Sequence, residues 1–161
     1  MNVRHDKITL FIVRPEERTT EHEFLQLRRS DDEFLAGTWA IVRGGVERGE
    51  SYAAAAVREL REETGLVPRE LYRSGTIESF HTQDDDTLWH SVVFCAIVER
   101  DLEPRLNEEH DAFRWTPRAR IEAETLWPSE RAVLSDVIRE ILDNGRAKPY
   151  LRVQFPFDPG K

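Results

Sequence analysis

The sequence predicts an α/β protein in which a β-sheet is covered by helices on both sides. Its 161 residues fit one domain, with residues 1–145 as the domain and 146–161 as a C-terminal tail. Strand-like runs rich in β-branched and aromatic residues are mixed with two long helix-forming stretches. Residues 92–98 form a nearly continuous apolar run, which is typical of a strand covered on both faces. Helices are therefore expected on both faces of the sheet.

The strands are predicted from apolar runs that end at turn-forming residues. A buried strand over residues 8–13 is followed by a hairpin partner over 23–28. A shorter strand runs into a pair of glycines, and two longer strands and a last short one follow the first long helix. The predicted ranges for these four strands are 38–42, 71–80, 88–98 and 112–115.

Two helices are predicted from their periodicity and their end signals. The first covers residues 51–64, with Ser51 as the N-cap and Gly65 as the C-terminal stop. The second covers residues 129–144 and has one apolar face. The tail has no clear period, so it is expected to wrap the domain or to pair with a partner chain.

Composition limits the classes of function. A net charge of −8 argues against nucleic acid polymers, which are usually bound by a basic face. No apolar stretch is long enough for a membrane span or a signal peptide, so a cytoplasmic protein, either monomer or homodimer, is expected. The single cysteine, Cys95, excludes an intramolecular disulfide and is predicted to be a buried structural thiol.

Three glutamates of the first predicted helix lie on one side of it. Glu59, Glu62 and Glu63 fall within about 100° of one another on a helical wheel, beside an apolar stripe. Like charges at this spacing repel, and a bound divalent cation would remove the repulsion. Helical spacing alone leaves a second interpretation open, namely a solvated helix face with an ion pair between Arg58 and Glu62.

The wider spacing around these glutamates is more specific. Residues 44–66 resemble the signature of the Nudix hydrolases, G-x5-E-x7-R-E-U-x-E-E-x-G-U with U aliphatic, at every fixed position. The fixed positions before and after the glutamates are Gly44, Glu50, Arg58, Leu60, Gly65 and Leu66. The resemblance implies an α/β/α sandwich around a mixed β-sheet and an enzyme that cleaves phosphoric anhydride bonds.

The same resemblance implies roles for individual residues. Glu59, Glu62 and Glu63 would bind Mg²⁺ or Mn²⁺, and the main-chain carbonyl of Arg43 would be a further ligand. Arg58 and Glu50 would orient the carboxylates. The ions would neutralise the diphosphate oxygens and activate a water that attacks phosphorus in line. Glu62 and Glu63 are both candidates for the catalytic base.

A second segment resembles a narrower part of the family. Residues 107–115 are similar to the pattern E-H-x-x-[FY]-x-W of diadenosine-tetraphosphate hydrolases and bacterial dATP pyrophosphohydrolases. Glu109 is the matching glutamate, and the resemblance implies that it is a metal ligand or a base. The alternative is an acidic loop that matches by coincidence.

The substrate is less well defined by the sequence. Family markers downstream of the signature, a proline for ADP-ribose and a tyrosine for dinucleoside polyphosphates, are absent from residues 81–84. By elimination, and from the Glu109 segment, the resemblance is to dATP-type nucleoside triphosphate pyrophosphohydrolases, with diadenosine polyphosphate hydrolases second. A nucleotide-binding regulator without catalysis is the alternative from another class.

Three aromatic residues and one histidine are candidates for contact with the nucleotide. Trp39, Phe80 and Trp89 could stack on a base, because aromatic faces bind bases without reading their sequence, or they could pack in the core. His81 could position a leaving group or could be a loop histidine without a role. The acidic run 84–86 is predicted to be a solvated loop.

Overall fold

The computed structural model describes residues 1–154 and shows a mixed sheet of eight strands, which confirms the predicted fold class. β1 and β6 pair in parallel, whereas the other neighbours pair antiparallel. The order across the sheet is β3-β2-β1-β6-β5-β8, with β4 paired to β1 and β7 paired to β2. The strands are β1 (Asn2–Pro15), β2 (His22–Arg29), β3 (Trp39–Ala40), β4 (Val42–Gly45), β5 (Glu70–Thr82), β6 (Thr87–Ile97), β7 (His110–Pro117) and β8 (Arg152–Val153).

Helices cover both faces of this sheet, as the sequence predicted. The helices are α1 (Tyr52–Thr64), α2 (Arg118–Glu124), α3 (Pro128–Asp136) and α4 (Lys148–Leu151). Alternate side chains of β1 enter two separate cores, since neighbouring residues of a strand point to opposite faces. Leu10 packs in the core beneath α1, whereas Phe11 packs in the core beneath α3.

Helix α1 begins and ends where its end signals predicted. The Ser51 side chain accepts a hydrogen bond from the backbone N–H of Ala54 at 3.1 Å. Gly65 closes the helix with φ of 68°, a left-handed conformation that glycine adopts without strain. The small side chains of Ala55 and Ala56 are fully buried, so the helix lies close to the sheet.

The second helix differs from its prediction over residues 129–144. It is α-helical to Asp136 and then π-helical over Val137–Leu142, with the N–H of Asp143 donating to the carbonyl of Ile138 at 2.8 Å. Over so few residues an apolar face has nearly the same spacing in both helix types, so the sequence pattern could not separate them.

Other predictions for the strands and helices were wrong. The strand expected over 38–42 is broken at Ile41 into β3 and β4. The connection expected between the strands over 71–80 and 88–98 is shorter, because β5 continues to Thr82, which pairs with Thr87 of β6. Helix α2 was not predicted, and β7 is followed by one further strand.

Part of the predicted tail joins the sheet. α4 packs beside β5, and Val153 of β8 pairs with Leu71 of β5. Residues 155–161, the rest of the predicted tail, lie outside the described residues. Within residues 1–154, no helix is long and apolar enough to cross a membrane.

Cys95 is fully buried in β6, as predicted for a structural thiol. Burial raises the pKa of its thiol to about 12. The group is therefore protonated at neutral pH.

Candidate active site

The predicted carboxylates come from two elements that meet near the end of β2. Glu59, Glu62 and Glu63 lie in the last two turns of α1, and Glu109 directly precedes β7. The backbone N–H of Ser30, which follows β2, donates to the carbonyl of Glu109 at 3.0 Å. β2 therefore fixes the start of β7 beside α1.

Arg58 holds the carboxylates around it in place. Its guanidinium donates to both carboxylate oxygens of Glu50, at 2.9 and 3.0 Å, and to Glu59 at 2.7 Å. Further bonds reach Glu62 at 3.2 Å and the carbonyl of Gly45 at 2.8 Å. The bonds to Arg58 keep the pKa of Glu50 below its ordinary value. The orienting role of Arg58 and Glu50 stays a prediction.

The three glutamates of α1 have different environments. Glu63 is only 3% exposed, and burial, with the nearby charges of Glu109 and Glu59, raises its pKa to about 9. Glu59 is half-buried, and burial raises its pKa despite the opposing effect of Arg58. Glu62 is exposed.

His110 joins this cluster, although it was not a predicted site residue. It is buried as the first residue of β7, and burial, followed by the charge of Arg29, lowers its pKa to about 4. Its Nδ1 lies 3.8 Å from Oε2 of Glu63. In the metal-free protein both groups are therefore neutral at neutral pH, and the contact is not an ion pair. The signal that could have revealed it is the histidine of the E-H-x-x-[FY]-x-W segment.

Glu63, Glu109 and His110 form a donor set that fits a divalent cation. One ligand atom of each lies within 4.8 Å of the others. Oε2 of Glu63 and Nδ1 of His110 are buried and have no hydrogen-bond partner among residues 1–154. Buried polar groups without a partner are unfavourable, and a cation between them would satisfy both.

The pKa shifts predict how the stability of the metal-free protein depends on pH. Between pH 6.5 and 9 the folded state keeps a proton on Glu63 that the unfolded chain has lost, so the free energy of unfolding falls as pH rises. The slope is at most about 1.4 kcal/mol per pH unit. Between pH 4 and 6.5 the lowered pKa of His110 has the opposite effect, because the unfolded chain binds a proton that the folded state does not. In that range it offsets the fall in the free energy of unfolding that Glu63 causes.

Urea unfolding in EDTA at several pH values measures this slope. Glu63→Gln should flatten it above pH 6.5, whereas Glu62→Gln, at an exposed neighbouring carboxylate, should leave it unchanged. An equal slope in wild type and Glu63→Gln would contradict the assignment.

Gly44 allows Glu59 to lie against β4. A β-carbon on Gly44 would overlap Cδ and Oε1 of Glu59. At Gly45 the nearest atom to such a carbon is the carbonyl oxygen of Asp6, at 4.0 Å. Only the first glycine is therefore required by the packing of a predicted metal ligand.

We expect Gly44→Ala to lower kcat by roughly 10- to 100-fold, because it displaces the carboxylate of Glu59, a predicted metal ligand, without removing it. Gly45→Ala is the matched control and should retain activity. Steady-state kinetics with Mg²⁺, together with circular dichroism, test the pair. Equal activity of the two variants would show that the position of Glu59 does not matter.

The side chain of Arg43 points away from these carboxylates, to the face covered by α3. It bonds to the fully buried Glu78 and, at 3.0 Å, to the buried Glu130. Ser129 donates to the same Glu78 oxygen as Arg43, at 2.7 Å, and Thr9 donates to the other. The main-chain carbonyl of Arg43 stays a predicted metal ligand.

Trp39 lines a cavity of about 430 Å³ between β3, β7 and the α2–α3 connection. The guanidinium of Arg114 lies 4.2 Å from the ring centre. Glu124 and Arg131 also line the cavity. Arg131 donates to the carbonyls of Thr125 and Leu126, at 2.9 and 2.8 Å. These bonds hold the α2–α3 connection, which lines the cavity, against α3.

The other two aromatic candidates, Phe80 and Trp89, are register partners in β5 and β6. Trp89 is 5% exposed, and Lys7 lies 3.9 Å from its ring centre. Phe80 stacks on Trp89 with ring centres 6.4 Å apart, and Arg43 lies 4.6 Å from the Phe80 ring. His81 is exposed and its Nε2 lies 3.1 Å from Asp86. Substrate roles for Phe80 and His81 stay predictions.

The fold and the sequence place the chain among known hydrolases. Residues 3–137 match the family model for the NUDIX domain. The chain therefore belongs to the NUDIX family of hydrolases.

Individual relatives agree with this family. The chain is 33% identical over 106 residues to the bis(5'-nucleosyl)-tetraphosphatase (asymmetrical) of Sus scrofa, covering 63% of this chain and 68% of the relative. It is 26% identical over 133 residues to the nucleoside triphosphatase NudI of Klebsiella pneumoniae (strain 342), covering 77% and 93%. A match to an octanoyltransferase of Myxococcus xanthus, 39% identical over 105 residues, covers 61% of this chain and only 27% of that protein.

A solved structure shows the same fold. A Nudix hydrolase from M. smegmatis, RenU, superposes with a TM-score of 0.70 at 22% identity. The superposition covers 88% of this chain and 89% of the other.

Proposed function

We propose that this chain is a divalent-metal-dependent pyrophosphohydrolase that cleaves a diphosphate link in a dATP-type nucleoside triphosphate. The observation that carries the proposal is the cluster of Glu63, Glu109 and His110, in which Oε2 of Glu63 and Nδ1 of His110 are buried without a partner among the described residues. Together with the nucleotide-sized cavity at Trp39, such a cluster suits the binding of a metal and a nucleoside polyphosphate.

The cluster and the cavity are joined through the end of β2. The N–H of Arg29 donates to the carbonyl of Thr38, next to Trp39, at 3.0 Å. The next backbone N–H, that of Ser30, donates to the main-chain carbonyl of Glu109, also at 3.0 Å. A substrate could therefore place its base at Trp39 and its phosphates at the carboxylates around this strand end.

Each carboxylate has a role in this proposal. Glu59, Glu62, Glu63 and Glu109 would hold the cation, and Arg58 would keep the first two in position. Bound divalent ions supply charge neutralisation at phosphate oxygens and acidify water. Glu62, Glu63 and Glu109 are the candidates for accepting the proton of the attacking water, and Glu62 and Glu109 are exposed enough to release it to solvent.

A dinucleoside polyphosphate is the second candidate substrate. The Sus scrofa relative is named a bis(5'-nucleosyl)-tetraphosphatase, and the NudI relative a nucleoside triphosphatase. The residues 107–115 resemble both kinds of enzyme. The intact set of carboxylates favours catalysis over a nucleotide-binding regulator.

One assay separates these alternatives. Purified protein with Mg²⁺ or Mn²⁺ is incubated with nucleoside triphosphates, dinucleoside polyphosphates and nucleotide sugars, and the products are identified by chromatography. We expect dATP to give dAMP and pyrophosphate at the highest kcat/KM. Preference for a dinucleoside polyphosphate would support the second candidate, and no product from any compound would overturn the enzyme function.

Trp39→Ala tests the place of the base. Stacking of an aromatic side chain on a base is worth about 1–3 kcal/mol, so KM should rise roughly 10-fold or more while kcat changes less. Tyr150→Ala, which removes an exposed aromatic ring on α4, should leave both constants unchanged. An unchanged KM for Trp39→Ala would exclude this cavity as the base site.

A further inference from the structure

A histidine nitrogen faces the carboxylate cluster. We propose that Nδ1 of His110 is a direct ligand of the divalent cation, which makes the site a mixed nitrogen and oxygen site. The proposal rests on the metal-dependent function above, and it adds a ligand and a preference among cations to that function.

The geometry supports ligation more than hydrogen bonding. Nδ1 of His110 and Oε2 of Glu63 face each other at 3.8 Å, which is too long for a hydrogen bond between them. The side chains are 6% and 4% exposed, so bulk water does not satisfy these atoms. One ligand atom of each of these two residues lies within 4.8 Å of a carboxylate oxygen of Glu109, which is exposed and opens the cluster to solvent.

The fold fixes the imidazole at this position. His110 pairs with Arg29 across β7 and β2, next to an irregularity in the register. On the other side, Glu63 is held in the last turn of α1, which is packed on the sheet. Two rigid elements therefore present the two donors to each other, as a preorganised ligand pair requires.

A nitrogen donor changes which cation the site prefers. Mg²⁺ favours carboxylate and water oxygens, whereas imidazole binds transition metals more strongly. We therefore expect Mn²⁺ to bind more tightly than Mg²⁺ in the wild type. Replacement of His110 should therefore reduce the difference in affinity between Mn²⁺ and Mg²⁺.

Pulsed electron paramagnetic resonance of bound Mn²⁺ tests the ligand directly. The protein is prepared without a polyhistidine tag in a nitrogen-free buffer and without substrate. Electron spin echo envelope modulation should show a ¹⁴N coupling in the wild type, and labelling of histidine with ¹⁵N should change its frequency. His110→Phe should abolish the coupling and weaken Mn²⁺ binding about 10-fold or more. His90→Gln is the control and should keep the coupling, because that imidazole is bonded to Ser79.

The outcomes separate this proposal from the proposed function. Bound Mn²⁺ without a histidine ¹⁴N coupling overturns His110 as a ligand, even where His110→Phe weakens binding, and leaves the metal-dependent function standing. Failure of the wild type to bind Mn²⁺ or Mg²⁺ overturns both. If His110→Phe does not fold, the isotope experiment on the wild type still shows whether a histidine binds the cation, and His110 is the one histidine among residues 1–154 that lies in the carboxylate cluster.

Discussion

Glu63→Gln is expected to reduce kcat by about 10³-fold or more, with the fold intact. The substitution keeps the shape of the side chain but removes the negative charge that Glu63, the most buried of the proposed ligands, would offer to a cation. Loss of about 4 kcal/mol of transition-state stabilisation corresponds to this factor. Rates are measured with saturating Mg²⁺ on the best compound of the substrate panel.

The matched control is Glu103→Gln, at an exposed glutamate outside the site, which should leave kcat unchanged. Circular dichroism and thermal melting establish that both variants are folded. In metal-free buffer between pH 6.5 and 9, Glu63→Gln should melt higher than wild type, because the folded wild type must keep Glu63 protonated at a pH where the unfolded chain loses that proton. Retention of more than a tenth of wild-type kcat would refute Glu63 as a metal ligand.

Glu78→Ala is expected to lower the free energy of unfolding by about 3 to 5 kcal/mol. Glu78 is fully buried and accepts hydrogen bonds from Arg43, Ser129 and Thr9. Its removal leaves the Arg43 guanidinium with Glu130 as its acidic partner and takes away the acceptor of the Ser129 hydroxyl, whereas Thr9 keeps its contact with Ser91. For a domain of this size the melting temperature should fall by roughly 6 to 20 °C.

Asp6→Ala provides the comparison, because it also removes the acidic partner of an arginine. The Arg4–Asp6 pair is about half-exposed, and such pairs contribute at most about 1 kcal/mol. Urea unfolding of both variants gives the two values. A loss for Glu78→Ala as small as that for Asp6→Ala would mean that the buried network does not anchor α3 to the sheet.

The sequence predicted features that depend on residues close together in the chain. Ser51 and Gly65 act on the backbone of their own helix, so the bounds of α1 follow from local chemistry. The signature glutamates lie within one helix, and their common side follows from its period. The strands of the sheet were predicted from apolar runs, because a strand that is buried on both faces contains mostly apolar residues.

Features that depend on pairing between distant segments could not be predicted in this way. The burial of His110 depends on the register of β7 against β2. The network around Glu78 joins residues of β1, β4, β5 and α3, and none of these segments indicates the others. The cavity at Trp39 depends on α2, which has too few residues for a clear amphipathic period.

The buried thiol of Cys95 makes the protein suitable for site-specific labelling. Thiol reagents react with the exposed thiolate, and this group is fully buried with a pKa of about 12. It is also the only cysteine in the sequence. A cysteine introduced at the exposed Tyr150 would therefore be the one reactive thiol. A dye or spin label attached there could report on α4 without prior removal of the native cysteine.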